Sequence, residues 1–161
     1  MKKIFYFVLV SFLGMAFLAS CSKKEEKAAP SAHDQFVASL TSADTTEVLN
    51  MCQDFFTKLS QGDKEGAIAM LSLSTDSGEV IAMSEEKIQQ LTRQFTLFPV
   101  LDNHLVEYTF GEAADNLMKF KVVFAKDENG KEEAINFGLN PIRKDGKWYL
   151  TVRNAAGKVA E

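Results

Sequence analysis

The chain is poor in the residues that most often carry chemistry or cross-links. Its 161 residues include two cysteines, two histidines, three prolines and one tryptophan. Two cysteines cannot make a disulfide framework. Stability must come from an apolar core, and thirteen phenylalanines suit that. The acidic pairs Glu85-Glu86 and Glu132-Glu133 have no His or Asp beside them at metal-ligand spacing, so neither a metal nor a cofactor is expected. Basic residues are in deficit, 18 against 22 acids, for a formal charge of −4. With no basic stripe, nucleic acid is not expected as a partner, nor is electrostatic attraction to an anionic membrane. An apolar run of membrane-spanning length, about 20 residues, is missing too. The longest, residues 4–17, has about 14.

What is present begins with that run. Lys2 and Lys3 precede it, and Leu18, Ala19, Ser20 and Cys21 follow it. A charged start, an apolar middle and a small-residue end are the three parts of a secretory signal. Leu18-Ala19-Ser20-Cys21 resembles the lipobox of bacterial lipoproteins. The resemblance implies cleavage before Cys21 and lipid attachment at the Cys21 sulfur and the new amine. Two or more acyl chains hold a protein on a membrane stably, where one does so only marginally. Cleavage would remove Lys2 and Lys3 and leave 141 residues at a formal charge of −6. Ser22 in the second position resembles outer-membrane lipoproteins, and Lys24-Glu25-Glu26 resembles an export tag of Bacteroidetes surface lipoproteins. The expected place is therefore the outer membrane, on its periplasmic face or at the cell surface.

Composition divides the chain into a signal at 1–20, a lipidated cysteine with a flexible tether at 21–43, a domain at 44–153 and a short tail at 154–161. His33 falls in the polar tether and is expected in solvent. Phe36, Val37 and Leu40 could form a short docking turn at its end. In the domain, Asp44 and Glu47 read as a capping box. Val48, Cys52, Phe55, Phe56 and Leu59 then recur at helical spacing. Gly62 stops this helix and Asp63 opens a second, with Ala67, Ile68 and Leu71 inward. Residues 72–83 read as a loop with a brief extended piece at Val80 and Ile81. Ser84 caps a third helix, which Pro99 closes.

The period then falls to two. Val106, Tyr108 and Phe110 share one face. So do Met118, Phe120, Val122 and Phe124, with Lys119 and Lys121 opposite. Asn129-Gly130 and Asp145-Gly146 mark hairpin turns, Ile135, Phe137 and Leu139 alternate between them, and Pro141 suggests an edge or bulge. Trp148, Leu150 and Val152 complete the inward set. The expectation is an α+β domain of three N-terminal helices on a four-stranded antiparallel sheet.

Two stretches carry a further resemblance. Phe55-Phe56-Thr57-Lys58-Leu59-Ser60-Gln61-Gly62-Asp63-Lys64-Glu65-Gly66-Ala67 is similar to the opening of nuclear-transport-factor-two-like domains, and Lys144-Asp145-Gly146-Lys147-Trp148-Tyr149-Leu150 to their closing strand. The resemblance implies a cystatin-like cone in which a curved sheet wraps its helices, often around a pocket and often in a dimer formed through the open sheet face. Candidate pocket residues are Phe55, Phe95, Tyr108, Phe120 and Trp148. The superfamily includes isomerases and dehydratases, but no catalytic arrangement carries over residue by residue.

Three further features admit two readings each. Asp102 and His104 could pair for acid–base work or belong to a polar loop. Tyr108 could donate to a ligand or pack. Cys52 could react, as a nucleophile or a pairing site, but its place on an apolar helical face favours burial. The leading expectation is a non-catalytic envelope lipoprotein that binds a small apolar ligand or an envelope protein. A cone enzyme using Tyr108 with Asp102 or His104, and a structural homodimer, are the alternatives.

Overall fold

The computed structural model describes residues 29–75 and 78–153. It is α+β, with elements in the order α1 Ala32–Ser39, α2 Ser42–Ser60, α3 Lys64–Ile68, β1 Leu71–Ser74, β2 Val80–Ile81, α4 Glu85–Leu97, β3 Asp102–Glu112, β4 Asp115–Lys126, β5 Glu132–Lys144 and β6 Lys147–Arg153. The signal, Cys21 and the 154–161 tail lie outside the described residues.

Several expectations need correction. The tether expected through residue 43 contains α1, and α2 starts one turn earlier than expected. Each helix carries its own capping box: Ser31 with Asp34, and Thr41 with Asp44. Asp44 is thus not the N-cap but the N3 partner of Thr41. The sheet has six strands instead of four, in the order β2-β1-β6-β5-β4-β3, and β1 runs parallel to β6. The helices are not all N-terminal, because β1 and β2 precede α4. Leu71 looks like the end of the second helix and residues 72–74 look like loop sequence, yet Leu71–Ser74 pairs with Leu150 and Thr151 of β6 and with β2. The α3 N-cap at Asp63, the Ser84 cap of α4 and the extended piece at Val80–Ile81 are as expected.

β3 to β6 form the expected antiparallel run. The inner, helix-covered face carries Met118, Phe120 and Val122 of β4, Phe137 and Leu139 of β5, and Trp148 and Leu150 of β6, all buried. Phe55 and Phe56 of α2 and Phe95 of α4 pack against this face. Phe56 lies 4.6 Å from Phe120 by ring centroids, and Phe55 and Phe95 lie 6.1 and 5.9 Å from Phe137. At the other end, Phe36 of α1 and Phe110 of β3 flank Trp148 at 6.4 and 5.7 Å. Phe36, expected in a docking turn, is therefore half-buried core lining on a full helix.

Pro141 lies inside β5, opposite Leu150, not at a sheet edge. Side chains replace the main-chain ladder on its β4 side, where backbone pairing ends at Met118 and Leu139. Asn116 donates its N–H to Asn140 Oδ1 at 2.8 Å and its Nδ2–H to the Pro141 carbonyl at 2.7 Å. No β4 carbonyl waits there for the N–H that proline lacks, so its usual cost inside a sheet does not arise.

Candidate functional site

The five candidate pocket residues do not line a common pocket. Phe55, Phe95 and Phe120 are buried in one aromatic cluster with Phe56 and Phe137. The slot beside that cluster, bounded by Phe98, Phe124 and Ile135, offers about 10 Å³ to a water-sized sphere. That is room for one water at most. Trp148 is buried at the opposite end. Its Nε1–H donates to Asp44 Oδ1 at 3.1 Å, and Arg143 lies over its ring at 5.9 Å while its Nη2 sits 3.4 Å from the same oxygen. Tyr108 is 49% exposed. Rings that look like pocket lining in the sequence instead fill the interior.

The acid–base candidates are also separated. His104 Nε2 and Asp102 Oδ2 do approach, at 3.3 Å. They are part of β3, not of a loop before it. His104 pairs with Lys121, on the outer face, while Tyr108 pairs with the buried Met118, on the inner face. The sheet thus lies between the phenol and the Asp102–His104 pair. Cys52 is fully buried, and burial pushes its thiol pKa up to about 12. A thiol held protonated in an apolar core is not a nucleophile.

What stands in solvent instead is a set of apolar side chains, of which only Val106 and Tyr108 draw notice in the sequence. Leu97 (73% exposed), Phe98, Leu101, Leu105, Val106 and Tyr108 are exposed apolar residues, all within residues 97–108. Three of them belong to β3, which ends the sheet, so among the described residues one side of its backbone has no strand beside it. A register shift between Leu105 and Glu107 inserts Val106 as an extra residue. Val106 therefore falls at a bulge and not, as the alternation suggests, beside Tyr108 on the inner face. Leu105, paired with Phe120, takes that inner place. The signal for this surface was the density of apolar residues around Pro99, a stretch that reads simply as a helix end.

The outer face of the same strands is a mixed ionic surface. Lys121 and Lys126 bond Glu132 at 2.8 and 3.4 Å, and Lys119 lies 3.9 Å from Glu107. A second depression, of about 430 Å³, opens between α3, β1 and α4 and is lined by Ile68, Leu71, Met83 and Ile88 among others. Among the described residues, no helix is long and apolar enough to cross a membrane.

No family model, curated protein or solved structure matches this chain.

Proposed function

We propose that this is a lipid-anchored outer-membrane lipoprotein with a nuclear-transport-factor-two-like domain that binds a protein through its surface and performs no catalysis. The anchor rests on Leu18-Ala19-Ser20-Cys21 behind a short apolar leader. The family reading rests on the motifs at residues 55–67 and 144–150, and helices packed on one face of an antiparallel run of strands support it.

One observation carries the binding reading. The interior is filled by aromatic rings, while a row of large apolar side chains along residues 97–108 stands in solvent. A monomer rarely leaves such a row uncovered without a use for it. A small apolar ligand is the second reading, favoured by the depression between α3 and α4; it would sit there and not inside the cone.

The test is a photo-crosslinking residue at position 106 of the full chain in cells, with position 147 on the far hairpin as control. A protein adduct specific to 106 is the expected result. Equal or absent crosslinking at the two positions would remove the binding reading. Membrane extraction of Cys21→Ser tests the anchor separately: the variant should stay uncleaved or leave the lipid fraction.

A further inference from the structure

The proposed binding surface has a geometry that suits one partner in particular. β3 has 11 residues, forms the edge of the sheet and contains neither lysine nor proline. Those are two of the usual devices that keep an edge strand from pairing with another chain. Instead it presents Leu105, Val106 and Tyr108, which are 40%, 55% and 49% exposed.

The bulge dictates how such a strand can pair. On the N-terminal side of it, Asn103 and Leu105 face inward and Asp102 and His104 outward. On the C-terminal side, Tyr108 and Phe110 face inward and Glu107 and Thr109 outward. The alternation slips by one residue in between. A second β3 laid antiparallel and centred on a single residue puts inward side chains opposite outward ones on at least one flank, and such a slip is strongly disfavoured where one face is apolar. Centring the pair between Val106 and Glu107 removes the conflict. Leu105 then meets Tyr108 of the second copy, His104 meets Thr109, and Asn103 meets Phe110, inward with inward and outward with outward.

We propose that β3 pairs antiparallel with β3 of a second copy about a two-fold axis between Val106 and Glu107, joining two six-stranded sheets edge to edge. The inference rests on the binding-surface reading and names its occupant. The contact is isologous and therefore closes at two copies. The ends of the strand fit as well. α1 is fastened at the Gly111 end of β3, where His33 Nδ1 lies 2.7 Å from the Gly111 carbonyl oxygen. Leu101 precedes the Asp102 end. Gly111 is the extra residue of a second register shift, so pairing runs from Asn103 to Phe110 and brings the exposed Leu101 towards the other α1, whose Val37 is 41% exposed. The two Glu107 carboxylates flank the axis, each with Lys119 of its own chain 3.9 Å away.

The experiment uses the full chain in membranes of the expressing cells. Two differently tagged copies are co-expressed, one carrying Leu105→Cys and the other Tyr108→Cys, and mild oxidant is added. Directly opposed residues on antiparallel strands lie within disulfide range. The expected result is a doubled mass containing both tags, absent when both copies carry Leu105→Cys, and abolished by Val106→Lys in each. Val106 is exposed, so this lysine leaves the fold intact, which an unchanged thermal midpoint verifies. No mixed-tag product would overturn the proposal, as would a doubled mass insensitive to Val106→Lys. A crosslink from position 106 to a different protein, without the mixed-tag product, would overturn the second-copy inference and leave the binding reading standing. No adduct of any kind would remove both.

Discussion

The indole Nε1–H of Trp148, on the last strand, donates to Oδ1 of Asp44, in the first turn of α2, at 3.1 Å across 104 residues of sequence. The other oxygen of Asp44 accepts the hydroxyl and the backbone N–H of Thr41, at 2.7 and 2.8 Å. One carboxylate thus ends a helix and fastens it to the sheet. Asp44→Asn removes the charge that Arg143 and Trp148 address. Hydrogen bonds to charged groups contribute about 1.5–3 kcal/mol each, and a loss in that range is the expected shift in denaturant unfolding.

Asp44 also predicts a pH dependence. The hydrogen bond from the Thr41 hydroxyl, then that from its backbone N–H, hold the carboxyl below its ordinary value of 3.8, with smaller help from Trp148 and Arg143 and against partial burial. A group whose folded pKa is depressed stabilises the fold fully above its unfolded value and loses that contribution as pH falls through the folded one. The wild type should therefore lose stability as pH drops below about 4. Asp34, Asp63 and Glu132 are depressed too, so Asp44→Asn should make the acid slope shallower without abolishing it. Identical slopes between pH 5 and pH 2 for variant and wild type would contradict the assignment.

Asn140 is the second internal fastening. It is fully buried; its Oδ1 accepts the Asn116 N–H and its Nδ2 donates to the Ala114 carbonyl at 3.2 Å. Asn140→Ala strands both groups. An unpaired buried group costs about 1–3 kcal/mol. Asn116→Ala should cost a similar amount, and the double variant less than the sum, because the two amides serve one network. Strict additivity in chemical denaturation would show them to be independent.

These two fastenings explain what could be read from the sequence and what could not. The period-two run of Met118, Phe120 and Val122 and the helical stripe from Val48 to Leu59 are written in local order, and each element takes the expected form. β1 is not wholly local: Leu71 and Ser72 join the main sheet because Leu150 and Thr151, far along the chain, lie beside them. Phe36 marks a docking turn in the sequence, but the ring it docks on, Trp148, is more than a hundred residues away and could not be named from local order. The bulge at Val106 breaks the very alternation from which strand faces are read, so Leu105 and Val106 exchange roles. Tyr108 has the predicted face but lies on the edge strand, and half of it remains in solvent. The pocket candidates are aromatic and inward, as pocket residues are; only the packing of ring against ring reveals a filled interior.

Burial makes Cys52 a probe of unfolding. With its thiol pKa pushed up to about 12 and no exposed surface, it should not react with a thiol reagent in the native state at neutral pH, and should react once in denaturant. Cys52→Ser places a hydroxyl in the same apolar site, at an expected cost of about 1–3 kcal/mol. Rapid native labelling would show that α2 opens far more readily than its packing implies.

Gly111 and Gly146 are glycines for different reasons, and substitution separates the two. A Cβ on Gly111 would stand 2.7 Å from the Asp115 carbonyl oxygen, so the β3–β4 turn would have to open. Gly146 meets nothing within 4 Å, but its φ is +75°, in a hairpin turn where Asp145 is also left-handed at 51°. Asparagine tolerates left-handed backbone and alanine much less so. Gly146→Asn should therefore be nearly neutral and Gly146→Ala should cost about 1 kcal/mol. At Gly111 the shortage is space, so alanine and asparagine should both cost about 1–3 kcal/mol, as overpacking does. The opening should also loosen α1, because Gly111 bonds His33 through its carbonyl and Asn116 Oδ1 through its N–H. Faster amide exchange across residues 32–39 in Gly111→Ala, but not in Gly146→Ala, is the expected signature. Equal exchange in the two would mean that α1 is held by Phe36 alone.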